Sequence, residues 1–588
     1  MHSQPKFSVV AEPDKTQFAF SLKKKVCVVV IFLLLLIGWA VIWTALSLQS
    51  IKVGDFSTAD TEARVAHPVV RLLSLLTLQS NSDLELWDQT LTLIQEGYDL
   101  EVSTQTYIKL ALQNDPQLAP NARELESNLK ETGSSFQKII PLTKKSLIYK
   151  KIILPKLPPK ITAQLEPDSQ LVQALPVLET AVDTLFTGHH RFILLLQNSD
   201  ELRATGGFMG SYAVLDFNMG SLSPIQFYDI YDADGQIQTT IPAPAGVNEY
   251  LSGGQGLRLP NANWNPDFPS SAQDILHFFA LAHVQEVDGV IAVNLSLVEQ
   301  LLTVTGPVQI QETNQTVTAN NLSEVARADR ESYFPGSKQK KNFLQALSTQ
   351  LRLKVQNLTP AQQKQLASEI AGDILQKNIQ LFFHDPDLQA FVQTIQGTGQ
   401  VTASFSVVNQ DIFPKNYLML IESNVGINKA NKKITREVKI DLQDRKTTVE
   451  IHYENQNSLT SGLPATASSA LRENPRNDYI NYQRLLLPSG SVITQLEQDG
   501  KPVPVRDQNE LVTSTGEHFA QVGFLVPVPE QQQSTVILSY TEMNSFQINP
   551  TLVVQKQSGL PSTFYSVTYG SQSQNFQLDQ DKVIQFQP

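Results

Sequence analysis

Three clusters in this chain have residue types suited to a phosphate or to the cation that accompanies one. The first, Asn198-Ser-Asp-Glu-Leu-Arg-Ala-Thr-Gly-Gly-Phe208, directly follows an apolar run that reads as a buried strand. Paired glycines at a strand end let backbone N–H groups come close to a ligand, and the Arg203 guanidinium is a forked donor for an anion. The same residues suit a tight turn in which Glu201 and Arg203 merely hold a loop, and the two readings stand level. The second cluster is Arg327, Arg330, Lys338, Lys340 and Lys341, which lead into a helical pattern running through Phe343 and Leu347. Cations are disfavoured at a helix N-terminus unless something negative compensates, so a bound pyrophosphate would rationalise them; a solvated basic loop is the alternative. The third is Asp229, Asp232 and Asp234-Gly235, whose carboxylates suit a hard cation such as magnesium. It lacks calcium-loop spacing and a closing glutamate, so a solvated acidic turn is the stronger reading there.

Other chemistries lose support. There is no G-x-S-x-G elbow, no H-E-x-x-H and no complete phosphate loop around Gly336-Ser337-Lys338. The 9 histidines are scattered, and His277 and His283 do not share a helical face as metal ligands would. With 45 basic against 57 acidic residues and a formal charge of -12, a general nucleic-acid binder is excluded as the expected class, so any anion site must be local.

The elements that would position these clusters follow from periodicity. Apolar runs at Arg191 to Leu196 and Val287 to Val293 read as buried strands, and Ala272 to Leu281 reads as a helix between them. This alternation predicts an α/β domain over 188–400, a mixed sheet flanked by helices. Lys340 to Phe383 has a helical pattern that would cover one face of the sheet. Beyond Asn416 apolar residues alternate, as in Val438, Ile440, Leu442 and Val449, Ile451, Tyr453, which predicts an all-β, sandwich-like module over 416–588. Glu454 to Asn477 has no apolar period and reads as a long loop within it.

Upstream, 58–187 reads as a helical stalk, with Leu84, Trp87, Leu91 and Ile94 on one helix face. Within it, Lys138, Lys144, Lys145, Lys150, Lys151, Lys156 and Lys160 occur with no acid between them; a solvated surface is the stronger reading over a site for anionic lipid or polymer. Val26 to Leu48 is free of charge and as a helix spans roughly 34 Å, enough for a bilayer core of about 30 Å. Lys23, Lys24 and Lys25 precede it, whereas Asp55, Asp60 and Glu62 follow, which predicts a cytoplasmic tail at 1–25, a transmembrane helix at 26–48 and an exported bulk. A cleaved signal peptide is the rival, but its apolar region would be shorter and Ala45-Leu46-Ser47 is a poor cleavage site. The single cysteine, Cys27, lies in this helix, so the exported part has no intrachain disulfide, which fits a bacterial envelope.

The segments Asn198-x-x-Glu201-x-Arg203-x-Thr205-Gly206-Gly207-Phe208, Asn263-Trp264-Asn265-Pro266-Asp267-Phe268-Pro269, Val287-Asp288-Gly289-Val290-Ile291-Ala292 and Thr305-Gly306-Pro307 resemble a bacterial domain-of-unknown-function family of membrane-anchored envelope proteins. That family is distantly similar to the LytR-CpsA-Psr enzymes, which transfer glycopolymers from a polyprenyl pyrophosphate carrier to the cell wall. Arg327-Ala-Asp-Arg330 resembles their paired-arginine motif, and Lys338-Gln-Lys-Lys341 with the residues that follow resembles their arginine-glutamine helix, lysine replacing arginine. Where those enzymes have a strand ending in S-I-P-R-D, this chain has Asp229-Ile-Tyr-Asp232-Ala233, without the arginine. The residues and the resemblance together lead to the expectation of an envelope protein whose α/β domain binds a polyprenyl-phosphate-linked glycan or cell-wall polymer beside the bilayer: Arg327, Arg330, Lys338 and Lys341 neutralise the pyrophosphate, Arg203 joins them on charge type alone, and Asp229, Asp232 or Asp234 holds magnesium. The alternative is a noncatalytic adhesin or envelope scaffold whose β module makes the contacts.

Overall fold

The computed structural model describes residues 34–586 with the exception of 53–54, 77–81, 114, 116, 147–148, 154–169, 285, 312–313, 324, 326–338, 408–409, 413–415, 444, 458–476 and 543–550. The chain divides into two compact units, residues 1–108 with 120–179 and residues 109–119 with 180–588.

The first unit is helical: α1 (Leu34–Lys52), α2 (Phe56–Leu76), α3 (Ser82–Gln113) and α4 (Leu118–Lys145), followed by a π-helical turn at Tyr149–Ile153. α1 has 19 residues and a mean hydropathy of 1.8, so by length and composition it qualifies as a membrane anchor or a signal sequence. One face of it is covered. Ala40 packs with Ala63, Ala66 and Val70 of α2 and Leu91 of α3, where small side chains let the helices approach closely. Trp87 and Ile94 join this cluster, as their spacing predicts. The neighbouring Leu86 faces elsewhere and packs with Ile139 and Leu142 of α4, so α3 serves two partners on two faces.

α5 (Gln170–Phe186), which belongs to the second unit from residue 180 onward, leads into a mixed sheet of β1 (His189–Asn198), β2 (Phe208–Asn218), β3 (Ser221–Leu222), β4 (Gln226–Asp229), β5 (Gly289–Asn294) and a late strand introduced below. β1 runs antiparallel to β2 and parallel to β5, with Phe192 opposite Gly289. Both faces of β1 are buried, which is why it reads as a continuous apolar run. Ile193 and Leu195 face a core that includes Phe268, Ile275 and Phe279 of α7 (Phe268–Leu281), after the short helix α6 (Ile230–Asp234). Phe192 and Leu194 face the opposite way, toward Ala181 of α5.

After β5 come α8 (Leu295–Thr305), the hairpin β6 (Val308–Ile310) and β7 (Gln315–Val317), α9 (Gln339–Val355) and α10 (Pro360–Leu375). Leu302, Val308, Val317, Phe343 and Leu347 form a side core that holds α9 over α8 and the hairpin. The helical pattern expected up to Phe383 stops early: Ile379–Phe383 is β8, antiparallel to β5 at the sheet edge. Four apolar residues around Gln380 are too short a run to be told from a helix segment by periodicity, and pairing with β5 decides it. α11 (Pro386–Thr394) then returns to the sheet, Leu388 packing with Phe192.

The C-terminal region is strand-rich. One sheet orders strands Asp507–Val512, His518–Val528, Tyr479–Pro488, Asn416–Ile421, Thr551–Gln555 and Lys582–Gln585; a second contains Ile434–Gln443 and Lys446–Asn455. These last two pair with Val438 opposite Ile451 and Ile440 opposite Val449, the alternation seen in the sequence. The side chains from both sheets meet in one core, Val438, Ile440 and Val449 against Leu418, Leu485 and Phe524, and the sheets do not close into a barrel. Of the expected loop Glu454 to Asn477, most lies outside the described residues. The segments 188–400 and 416–588, distinct by pattern, belong to the same compact unit.

Candidate functional site

The Asn198–Phe208 segment begins where β1 ends. The Asn198 side chain accepts from the Asp200 N–H and caps a short 3-10 turn, Ser199–Glu201. Glu201 is turned inward and pairs with Arg203 Nη2 at 2.9 Å. Arg203 is only 2% exposed. Its Nε donates to Asn261 Oδ1 at 3.2 Å, and its Nη1 donates to the carbonyls of Leu202 and Asn424 at 3.0 and 2.9 Å. The guanidinium is thus committed to protein acceptors, and a phosphate at Arg203 would have to displace them.

The paired glycines serve close approach. Gly206 has φ +135°, and a Cβ there would lie 2.3 Å from Asn294 Oδ1 and 2.8 Å from Ser558 Oγ; at Gly207 it would lie 2.3 Å from the Asn198 carbonyl carbon. Gln557 Nε2 donates to the Arg203 carbonyl at 3.0 Å and the Glu422 carbonyl at 2.8 Å. The second motif does the same work. Asn263 Nδ2 donates to Gln197 Oε1 and to the Gly207 carbonyl, and Arg484 stacks its guanidinium 4.4 Å from the Trp264 ring while donating to the Trp264 carbonyl. Asp267, fully buried, accepts from the N–H groups of Val401 and Ser514, each at 2.9 Å. Buried polar groups require partners, and here the two motifs and the strand-rich region supply each other's.

A cavity lies beside this joint. It has a volume of about 120 Å³ and opens at the C-terminal ends of β1 and β5, where sheets of this kind commonly receive ligands. Its walls are largely apolar: Leu196 of β1, Phe208 of β2, Val293 of β5, Val298 of α8, and Leu344 and Leu347 of α9. Two buried polar atoms in its lining residues, Ser211 Oγ and Asn294 Oδ1, have no hydrogen-bond partner. Neither announces itself in the sequence. Each is a lone small polar residue in a buried apolar strand, and the only signal is that Asn294 ends a strand parallel to β1.

Of the cations at the start of α9, Lys341 is exposed, and its Nζ sits 4.8 Å from the centre of the Tyr228 ring on β4. Arg327, Arg330 and Lys338 lie outside the described residues. The Lys341–Tyr228 contact sets α9 against the strand that ends in Asp229. The three acids do not converge. Asp229 caps α6 by accepting from the Tyr231 N–H, and Asp232 is exposed. Asp234 is buried and accepts from Arg258 Nη2 at 2.9 Å and from the Leu259 N–H at 3.0 Å. Among the described residues no group of three or more His, Cys, Asp or Glu side chains is placed to hold a metal ion.

No curated protein and no solved structure matches this chain. Residues 187–330, which carry β1, both polar motifs and the floor of the cavity, match a protein family described as Protein of unknown function (DUF4012).

Proposed function

We propose that this is a membrane-anchored, extracytoplasmic envelope protein whose α/β domain binds a phosphate-bearing amphiphile, a lipid-linked glycan or polymer. The observation that carries this reading is the apolar cavity walled by the first turns of α9, where Lys341 is exposed, with the unpartnered Ser211 Oγ and Asn294 Oδ1 in its lining residues. A cavity of this size is comparable to those that admit a benzene-sized apolar group, so one branched unit of a lipid chain fits. The headgroup would then meet Arg327, Arg330, Lys338 and Lys341, where the positive end of the helix dipole adds to the side-chain charge. Arg203 has no part in this contact. A magnesium ion accompanying a pyrophosphate would meet exposed Asp232, since Asp229 caps α6 and Asp234 is held by Arg258. α1 supplies the anchor, with Lys23, Lys24 and Lys25 keeping the N-terminus inside. Glycopolymer transfer of the LytR-CpsA-Psr kind is the activity the resemblance suggests, and the cations would stabilise the departing phosphate.

Native mass spectrometry of the detergent-solubilised chain, with phosphate analysis of what it releases on unfolding, tests the reading. A copurified polyprenyl phosphate or pyrophosphate is expected, and Leu344→Trp, which fills the cavity, should reduce its occupancy about tenfold or more in a chain that stays folded with a stability loss of at most about 3 kcal/mol. A chain that is reproducibly empty and takes up no added carrier sinks the proposal. It would favour a noncatalytic scaffold, a second reading supported by the use of Arg203 and Asp267 to weld the two strand-containing regions together.

A further inference from the structure

An edge strand leaves alternate backbone N–H and C=O groups pointing outward, a template on which another chain can pair, and folds blunt such edges with charge, proline, a bulge or brevity. The two sheets of the strand-rich region end in four strands, and three of these are blunted. Asp507–Val512 carries two acids, Asp507 and the exposed Glu510. Lys582–Gln585 has 4 residues and opens on a lysine. Lys501–Pro502 is a lysine and a proline alone, and the strand behind it, Val492–Gln498, is bulged between Ile493 and Gln495. The fourth is Gln572–Leu578, where the second sheet ends. Its 7 residues include no charge, proline or glycine. It pairs with Thr563–Tyr569 without a register shift, from Thr563 opposite Leu578 to Tyr569 opposite Gln572. Its inner face is fixed. Leu578 is buried, the Phe576 ring stacks 5.8 Å from that of Tyr565, and Gln574 Nε2 donates to the Gln585 carbonyl of the first sheet at 2.7 Å. On the other face Ser573, Asn575 and Gln577 are exposed. Asp579, just past the strand, pairs with Lys582 at 3.9 Å, so this end carries no net charge.

An open edge selects a foreign strand through charge or through pockets for alternate side chains, and a neutral strand of amides and hydroxyls offers little of either. It is matched to itself. In the antiparallel register that overlaps all 7 residues, Asn575 faces its own copy and Ser573 faces Gln577 on one side of the sheet, while Gln574 faces Phe576 on the other. No like charges meet, and on the exposed side amides lie opposite an amide or a hydroxyl. We propose that Gln572–Leu578 pairs with the same strand of a second copy of this chain across a two-fold axis, joining two 7-stranded sheets into one. Such a contact uses the same patch on both copies and closes at two. It rests on neither the anchor nor the cavity.

The test uses the full-length chain in detergent micelles, with its mass read by sedimentation equilibrium over a range of concentrations. A reversible dimer is expected. Asn575→Lys and Asn575→Asp each set like charges against one another at the axis, so each should weaken the dimer about tenfold or more, and an equal mixture of the two should restore it. Both variants should keep the parent's thermal unfolding midpoint, since Asn575 is exposed. Gln508→Lys, on the edge that carries acids, should leave the dimer unchanged. A chain that stays monomeric at every concentration overturns the proposal. A dimer that tolerates both charges at position 575 overturns it in favour of a contact made elsewhere, α1 included. Two charge variants that stay apart when mixed overturn the two-fold pairing.

Discussion

Arg203 illustrates how one residue type serves two opposite ends. A forked guanidinium beside paired glycines suits a phosphate, yet the same fork also satisfies a buried carboxylate and two carbonyls at once. Which of these occurs depends on Glu201, two residues away, and on Asn424, which lies far along the chain. The structural role has a measurable signature. Arg203→Met should lower unfolding stability by about 3–5 kcal/mol, because it strands the buried Glu201 carboxylate; the double variant with Glu201→Gln should recover a large part of that. Urea denaturation of the two variants checks it, and a loss of ligand binding with unchanged stability would contradict the joint described here.

At the scale of elements, the sequence revealed what depends on near neighbours. β1, β5, α7 and the hairpin Ile434–Gln443 with Lys446–Asn455 all have a period that one face or two faces of packing imposes locally. β8 escaped because its five residues are too few to show a period, and its identity comes from β5. The cavity escaped as well: Ser211 and Asn294 matter through what α9 does above them, and α9 is placed by a side core rather than by any motif. The contact between Lys377–Asn378, just before β8, and the segment 555–558 was equally invisible. There Lys377 pairs with Asp581 at 2.9 Å, and Lys556 donates to the carbonyls of Gln376 and Gln557. Burial, with Lys377 nearby, pulls the Lys556 ammonium down to about 8, against the opposing pull of Asp581, Asp579 and Asp373. An unfolded lysine keeps its proton to about pH 10.4, so between these values the unfolded chain binds more protons and stability rises with pH. Below pH 8 both states hold the proton and this contribution is flat. Thermal unfolding across mildly alkaline pH should show the rise, and Lys556→Met should remove it.

For the whole molecule, the two strand-containing regions of the second unit are expected to fold only together. Ala204 and Val401 share a core with Tyr417, Met419, Leu486, Phe519 and Val553, so removing the strand-rich region bares apolar surface along with the polar groups of both motifs. A chain ended at residue 404 should aggregate or bind a hydrophobic dye, whereas residues 180–588 should unfold in a single transition. Two separate transitions in calorimetry would show that the regions are independent.

Gln557 and Arg203 are 354 residues apart, yet the loop after β1 is complete only when they meet. Gly559, with φ +78°, passes so near the Gly206 carbonyl that any side chain there would clash. A nascent chain therefore cannot complete the loop after β1 until almost the last strand has been synthesised. Under the export proposed above, such a late lock would delay premature collapse on the side where the chain is made.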